Sequence, residues 1–206
     1  MNQTVEPLLE ARFPVQPGSL ISSLHGYSLY SALKNQLPWF GDCLSTSIST
    51  IAGIKNSQKQ IETREFSQLS IRTPISRASS LYVLAGKTLS IGQGSITLRI
   101  PTISPLTVKS SLEARIVTIA LNPKESDPAP DRFLAVATRQ LKERGIQGKI
   151  AIALKKGELD RKVLLVKGNK CVGYRVKVAK LSDEDSLKLK TFGLGGRRKM
   201  GAGFFV

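Results

Sequence analysis

Near its C-terminal end the chain reads Gly193-Leu-Gly-Gly-Arg-Arg-Lys-Met-Gly-Ala-Gly203, five glycines around three consecutive cations. Glycine reaches positive φ and lets a backbone lie close to a phosphodiester, and successive amides can form an anion-binding concavity. Arginine and lysine add charge-assisted contacts to phosphate. Gly193, Gly195, Gly196, Arg197, Arg198, Lys199, Gly201 and Gly203 are therefore expected to form a phosphate-contacting loop. The pattern is not a Walker A loop, since no Gly-Lys-Ser/Thr closes it, nor a Rossmann fingerprint, since it does not follow a first strand. Proton-transfer chemistry points elsewhere. The single histidine, His25, stands at the head of a predicted helix in Leu24-His25-Gly26-Tyr27-Ser28-Leu29-Tyr30. A helix N-terminus disfavours the imidazolium and helps to keep a neutral base available. Tyr30 and Lys34, four residues apart, share a helix face. One histidine cannot run a two-histidine ribonuclease mechanism, and the few carboxylates of the first half are too scattered for a two-metal nuclease. No metal set and no cofactor motif is present. RNA cleavage by such a chain would be metal-independent, with His25 as general base or acid, Tyr30 orienting a hydroxyl, and Lys34 or Arg72 supplying charge.

The elements that must position these residues alternate in type. Leu8–Val15 reads as a strand, and Leu29, Leu33 and Leu37 give a one-sided helix over Tyr27–Leu37, stopped by Pro38. Thr46–Ile54 and Gln68–Thr73 read as strands, Ser76–Leu84 as a short helix, and Lys87–Ile100 as a hairpin turning at Gly92-Gln93-Gly94. This is the β-α-β-β-α-β order of a ferredoxin-like unit. The second half repeats it. Arg115–Leu121 and Lys149–Leu154 are strands around a helix that Asp131 opens and Gly145 ends. A second hairpin, Lys162–Val166 with Val172–Ala179, is expected to turn at Gly168-Asn169. On its second strand Arg175 and Lys177 share one face, making them candidate RNA contacts. Ser182 with Asp185 suggests a capping box for a last helix, and Gly203–Val206 a closing strand. The expected fold is α+β: two tandem ferredoxin-like domains, 1–108 and 109–206, linked through Pro101–Ser111.

Composition narrows the partner. The chain's 206 residues carry 31 Lys plus Arg against 15 Asp plus Glu, a net charge of +16. Nine basic and five acidic residues precede position 109, and 22 and ten follow, so the excess is +4 and then +12. Small domains usually stay soluble with a net charge of about 2–8, so this asymmetry points to a polyanion, most plausibly nucleic acid. The 41% hydrophobic content excludes wholesale disorder. No apolar run approaches the roughly 20 residues of a membrane span, and the N-terminal segment has no signal-peptide pattern. Two distant cysteines, Cys43 and Cys171, disfavour a disulfide framework or zinc site, and a cytoplasmic setting is expected.

Four segments together resemble a known family. His25-Gly-Tyr-x-Leu-Tyr30-x-Ala-Leu33, Leu69-x-Ile-Arg72-x-Pro74, Leu84-Ala-Gly-Lys-x-Leu89 and the terminal Gly-Leu-Gly-Gly-(four residues)-Gly-Ala-Gly-Phe are similar to CRISPR repeat-RNA processing endoribonucleases of the RAMP superfamily, closest to the MYXAN-type branch. The resemblance spans nearly the whole chain. It implies two ferredoxin-like domains, cleavage of CRISPR precursor RNA within each repeat, and retention of the guide RNA beside other subunits of a type I Cascade-type complex. In that branch an acidic residue precedes His-Gly; here Leu24 stands there, so no adjacent carboxylate sets the imidazole tautomer. The competing reading is a non-catalytic RNA-binding subunit of a ribonucleoprotein.

Overall fold

The computed structural model describes residues 6–119 and 128–206, and divides the chain into two compact units, Met1–Leu106 and Thr107–Val206. In the first, the chain runs β1 (Leu8–Pro14), β2 (Leu20–Ser22), α1 (Gly26–Gln36), β3 (Ser47–Ile48), β4 (Ile54–Lys55), β5 (Gln60–Glu62) and β6 (Gln68–Pro74). The short helix α2 (Ile75–Ala78) and a 3₁₀ turn over Ser79–Leu84 follow, then β7 (Thr88–Ile91), β8 (Gly94–Thr97) and β9 (Thr102–Pro105). The main sheet has the order β3-β6-β1-β9, the antiparallel ferredoxin arrangement. Helix α1 buries Leu29, Ala32 and Leu33 against Ala11, Phe13, Leu69 and Ile71 of that sheet. Each such leucine contributes about 1.5–3 kcal/mol by leaving water.

Two expectations for this unit need correction. The fourth strand is not the Lys87–Ile100 hairpin but β9, which lies inside the segment expected to be a linker and pairs with β1. Proline at either end of Thr102–Pro105 disguises it, and an edge strand tolerates the missing donors. The hairpin forms a sheet of its own, β7 with β8. The expected Thr46–Ile54 strand is interrupted after Ile48. Gly53 must pass close to β5, where an added β-carbon would fall 2.5 Å from the Glu62 carbonyl oxygen. The intervening Ile51 amide turns away to His25.

The second unit holds β10 (Ser111–Val117), α3 (Pro130–Glu143), β11 (Lys149–Ile152), β12 (Leu154–Lys155), β13 (Glu158–Leu159), β14 (Arg161–Val166), β15 (Asn169–Ala179) and α4 (Asp183–Phe192). The last two residues of the expected Arg115–Leu121 strand lie outside the described residues. Strand β15 is central, with β10 on one side and β11 then β14 on the other. Phe133, Ala137 and Leu141 of α3 and Leu189 of α4 pack with Leu112, Ala114, Val176 and Val178. Ser182 caps α4 as the sequence suggests, its hydroxyl accepting from the Asp185 amide, but the Asp185 carboxylate accepts from that same hydroxyl rather than from the Ser182 amide, so the reciprocal half of the expected capping box is not made. Gly203–Val206 closes the sheet beside β10 through an Ala114–Phe205 bridge. The long hairpin turns one residue earlier than expected, at Lys167-Gly168, where both residues have positive φ and Val166 pairs with Asn169.

Candidate nucleic-acid interface

The glycine loop is a packed knot. Gly193 is left-handed after α4, its amide donating to the Leu189 carbonyl. The Gly195 amide donates to Gln140 Oε1 on α3 at 2.8 Å. The Gly196 and Gly203 amides reach the carbonyls of Thr118 and Ile116, beyond and on β10. A β-carbon on Gly195 would lie 2.2 Å from the Thr118 oxygen, and one on Gly203 would lie 2.2 Å from the Leu194 oxygen. On Gly193 it would lie 2.5 Å from the Gly203 oxygen. The expectation that these glycines are bare so that phosphate can approach is thus corrected for Gly193, Gly195 and Gly203. Their own protein fills the space, and the amides of Gly193, Gly195, Gly196, Gly201 and Gly203 are spent internally. Gly196 is exposed with nothing within 4 Å of a β-carbon.

What the knot presents outward is charge. Arg197 sits in the left-handed region at φ 61°, and its guanidinium has no hydrogen-bond or ion-pair partner among the described residues. Arg198 turns inward, donating to the Thr191 carbonyl at the end of α4. That is a cation completing a helix C-terminus. Lys199 is half-buried. Gln140, which fastens the loop to α3, carried no sequence signal, since a glutamine in a helix is ordinary.

Beside the loop lies the face of the sheet that α3 and α4 leave uncovered. Arg115, Lys149, Arg175 and Lys177 are all exposed there. Strand alternation puts Arg175 and Lys177 on the same side, opposite buried Val176 and Val178. Arg175 is ion-paired with Glu113 and lies 3.9 Å from Asp160. Lys177 stands between Glu113 and Ala151 in the register and is unpaired among the described residues. Arg115 and Lys149 were missed in the sequence because each opens an expected strand, Arg115–Leu121 and Lys149–Leu154, whereas Arg115 in fact lies within β10.

His25 and Tyr30 belong to the first unit. His25 heads α1 as expected, but its ring is only 1% exposed. Nδ1 donates to the Ser22 carbonyl at 2.9 Å, and Nε2 accepts from the Ile51 amide at 3.0 Å. An imidazole that donates at one nitrogen and accepts at the other is the uncharged tautomer. The Ser22 carbonyl therefore does the orienting work for which no carboxylate is available at Leu24. The expectation of an open base is corrected: the lone pair faces a backbone amide. Tyr30 packs half-buried between Tyr27 and Phe40, with ring centroids 6.3 and 6.1 Å away. Five positions along a helix separate two side chains by roughly 140° around the axis, so Tyr30 leaves α1 on a different side from His25. Arg72, a suggested charge donor, is a core residue. It is 1% exposed and bound to Glu10 at 2.8 Å, with Arg12 on the other carboxylate oxygen. Burial alone would raise the Glu10 carboxyl, but Arg72 and Arg12 outweigh it and hold the group below the usual range; burial lowers Arg72, and Glu10 partly restores it. Lys34 is exposed, its stem running over Gly41.

Tandem ferredoxin-like units with a terminal glycine knot and a basic open sheet are the features that the resemblance of the sequence to RAMP endoribonucleases implies. Comparison with known proteins is specific. The Cas6 Crispr family profile matches residues 9–206. The CRISPR-associated endonuclease Cas6 of Myxococcus xanthus (strain DK1622) is 31% identical over 194 residues, covering 94% of this chain and 79% of that protein. Among solved structures, a CRISPR associated protein Cas6 superposes with a TM-score of 0.64 at 15% identity, covering 98% of both chains. A RAMP protein binding different RNA substrates gives 0.64 at 18% identity, covering 97% of this chain and 98% of that one. The chain belongs to the Cas6 family of CRISPR-RNA processing endoribonucleases, as the sequence motifs imply.

Proposed function

We propose that this protein binds the repeat of CRISPR precursor RNA on its second unit and cuts it without a metal ion, through attack of the ribose 2′-hydroxyl on the adjacent phosphate. The O–P bond to the 5′-oxygen breaks, leaving a 2′,3′-cyclic phosphate and a 5′-hydroxyl. The observation that carries the binding half is the outward row of unspent cations, Arg197 in the knot and Lys177 on the open sheet, within a unit of net charge +12. Contacts of this kind read the RNA backbone. Metal-independent cutting is supported by the donor sets: among the described residues no three His, Cys, Asp or Glu side chains cluster. The proton then falls to His25. It acts once the 2′-hydroxyl replaces the Ile51 amide on Nε2, one donor exchanged for another; His25 takes that proton and returns it to the departing 5′-oxygen. The cut RNA is retained, consistent with a place in a Cascade-type complex. No helix among the described residues is long and apolar enough to cross a membrane, and a cytoplasmic location fits this work.

The test is incubation of purified protein with repeat RNA in EDTA, followed by end-group analysis. A cyclic phosphate end formed at an undiminished rate supports the reading. Activity lost in EDTA and restored by Mg²⁺ overturns it, and binding without any cutting favours the non-catalytic subunit.

A further inference from the structure

A buried carboxylate lies beneath the basic face of the second unit. Asp160, the residue just before β14, stands opposite Arg175: its carbonyl accepts from the Arg175 amide, and its own amide donates to the Ala153 carbonyl. Directly opposed residues of an antiparallel pair point to the same side. The Asp160 side chain therefore belongs to the open face of the sheet, yet it is only 4% exposed. Its Oδ1 accepts from Nζ of Lys162, two residues on and so on the same side, at 2.6 Å. Oδ2 lies 3.9 Å from Nη1 of Arg175 and is buried with no hydrogen bond of its own among the described residues. Arg115 completes the group. It lies where β10 shifts register against β15, between Ala114 opposite Val176 and Val117 opposite Tyr174. Partial burial lowers its guanidinium, and the Asp160 charge partly restores it. One carboxylate stands among three cations.

An anion is out of keeping with a surface that must attract phosphate, and stability does not explain it. Taking charges out of water offsets most of what their attraction returns, so a buried ion pair is weak evidence of a stabilising role. What it supplies is order. Lysine and arginine stems are among the most freely rotating side chains. A cation that settles only when its ligand arrives loses about two- to tenfold in affinity. We propose that Asp160 is a positioning residue for RNA binding: from beneath the face it holds Lys162, Arg175 and Arg115 in a fixed array whose remaining donors meet phosphates of the RNA backbone. The proposal rests on the RNA-processing function above and assigns the residue that sets the geometry of its basic face. Donors are left over for the purpose. Lysine carries three N–H groups and arginine five, of which the contacts with Asp160 and Glu113 use few. The Lys162 and Arg175 side chains reach solvent, at 23% and 45% exposure. Glu113 holds Arg175 from the more exposed side, so a phosphate can take its place while Asp160 stays.

The experiment uses the full chain and a repeat RNA. Affinity is measured over a range of salt, cleavage in single turnover at saturating RNA, both well below the midpoint of thermal unfolding. Bare charge and positioning predict opposite signs. Asp160→Asn keeps the shape and removes a negative charge from an anion-binding face, which by charge alone tightens binding. Positioning predicts weaker binding, by at least about fourfold if two cations are released at about twofold each. The salt slope should stay, because no cation is lost, and so should the cleavage rate at saturation. Glu113→Gln, which removes the outer acid, should bind as well as wild type or better; equal losses in the two acid variants would overturn the assignment to Asp160. Lys162→Ala should lower the log–log salt slope by about 0.7–0.9, and in its background Asp160→Asn should cost less than in wild type. If Asp160→Asn does not fold, Lys162→Ala decides, and an unchanged slope there overturns the proposal. Affinity at or above that of wild type in Asp160→Asn, with only thermal stability lowered, overturns it as well and leaves Asp160 a structural ion pair. Wild-type binding without cleavage would strike the function proposed above, not this residue.

Discussion

Replacing His25 by alanine removes two groups at once. The Ser22 carbonyl loses its donor and the Ile51 amide its acceptor, at a site where the ring is 1% exposed. A buried polar group left without a partner costs about 1–3 kcal/mol before any cavity term, and here that group is the Ile51 amide, since Ser22 is exposed and its carbonyl can turn to water. For a unit of this size each kcal/mol shifts Tm by roughly 4–8 °C, and the low end already gives a drop of about 4 °C. The same substitution removes the proposed proton acceptor, which is worth about 10²–10⁴-fold in rate. The two effects separate by temperature and by readout. Thermal unfolding is followed by circular dichroism. Single-turnover cleavage of end-labelled repeat RNA is measured well below the variant's Tm, with repeat affinity taken from filter binding. The expected result is a lowered Tm, near-normal affinity, and cleavage reduced at least about tenfold. An unchanged Tm would refute the buried hydrogen bond between His25 and the Ile51 amide. A lowered Tm with wild-type cleavage would refute His25 as the proton-transfer group and leave it as a structural joint between Ser22, α1 and Ile51.

The remaining expectations concern the scaffold. Glu10→Gln leaves Arg72 buried without its counter-charge and should cost about 3–5 kcal/mol in denaturant unfolding at neutral pH. Because the Glu10 carboxyl titrates below its unfolded value, its stabilisation is full above the ordinary glutamate range and fades as pH falls through the folded value. Part of the wild type's loss between neutral pH and about pH 3 should therefore be missing in the variant; identical acid-side slopes would contradict this. Gly195→Val should unfold the second unit or lower its yield of soluble protein, since the β-carbon meets the Thr118 oxygen, whereas Gly196→Ala should be tolerated; equal stability of the two would remove the knot. Replacing Arg197, Arg198 and Lys199 together by alanine should weaken repeat binding and flatten its salt dependence by up to about 0.7–0.9 in slope per lost contact. Arg198→Ala alone should show mainly as a small drop in Tm, because its guanidinium is spent on Thr191; a full charge-type loss of RNA binding from that single change would reverse its assignment.

The sequence made the second unit and the identity of the family legible because their signals are local. Ser182 with Asp185 announces a helix start, alternating Tyr174, Val176 and Val178 announce a half-buried strand, and the glycine loop announces itself by composition. What escaped depends on partners distant in the chain. Strand β9 is four residues with proline beside and within it, and only its pairing with β1 makes it a strand. The glycines of the terminal loop look like openness in one dimension. In three they are the only residues that let three carbonyl oxygens come close. His25 reads as an open base from its place at a helix head, yet the groups that occupy it, Ser22 and Ile51, are fixed by how the chain crosses above it. Arg72 reads as an available cation until its register opposite Glu10 is known.

The tethering of the terminal loop has a kinetic consequence. A glycine-rich segment left loose in solution would have to surrender about 1–2 kcal/mol of backbone freedom for each residue ordered on RNA. Here α3, α4 and β10 hold the segment before RNA arrives, so that loss belongs to folding. Encounter with RNA then needs no rearrangement of the loop, and association through it should run at a rate set by diffusion and by the unit's positive field. Differences in affinity among loop variants should accordingly appear as differences in how long the RNA stays. The proposed retention of the cut RNA would draw on that arrangement: a grip built in advance and released slowly.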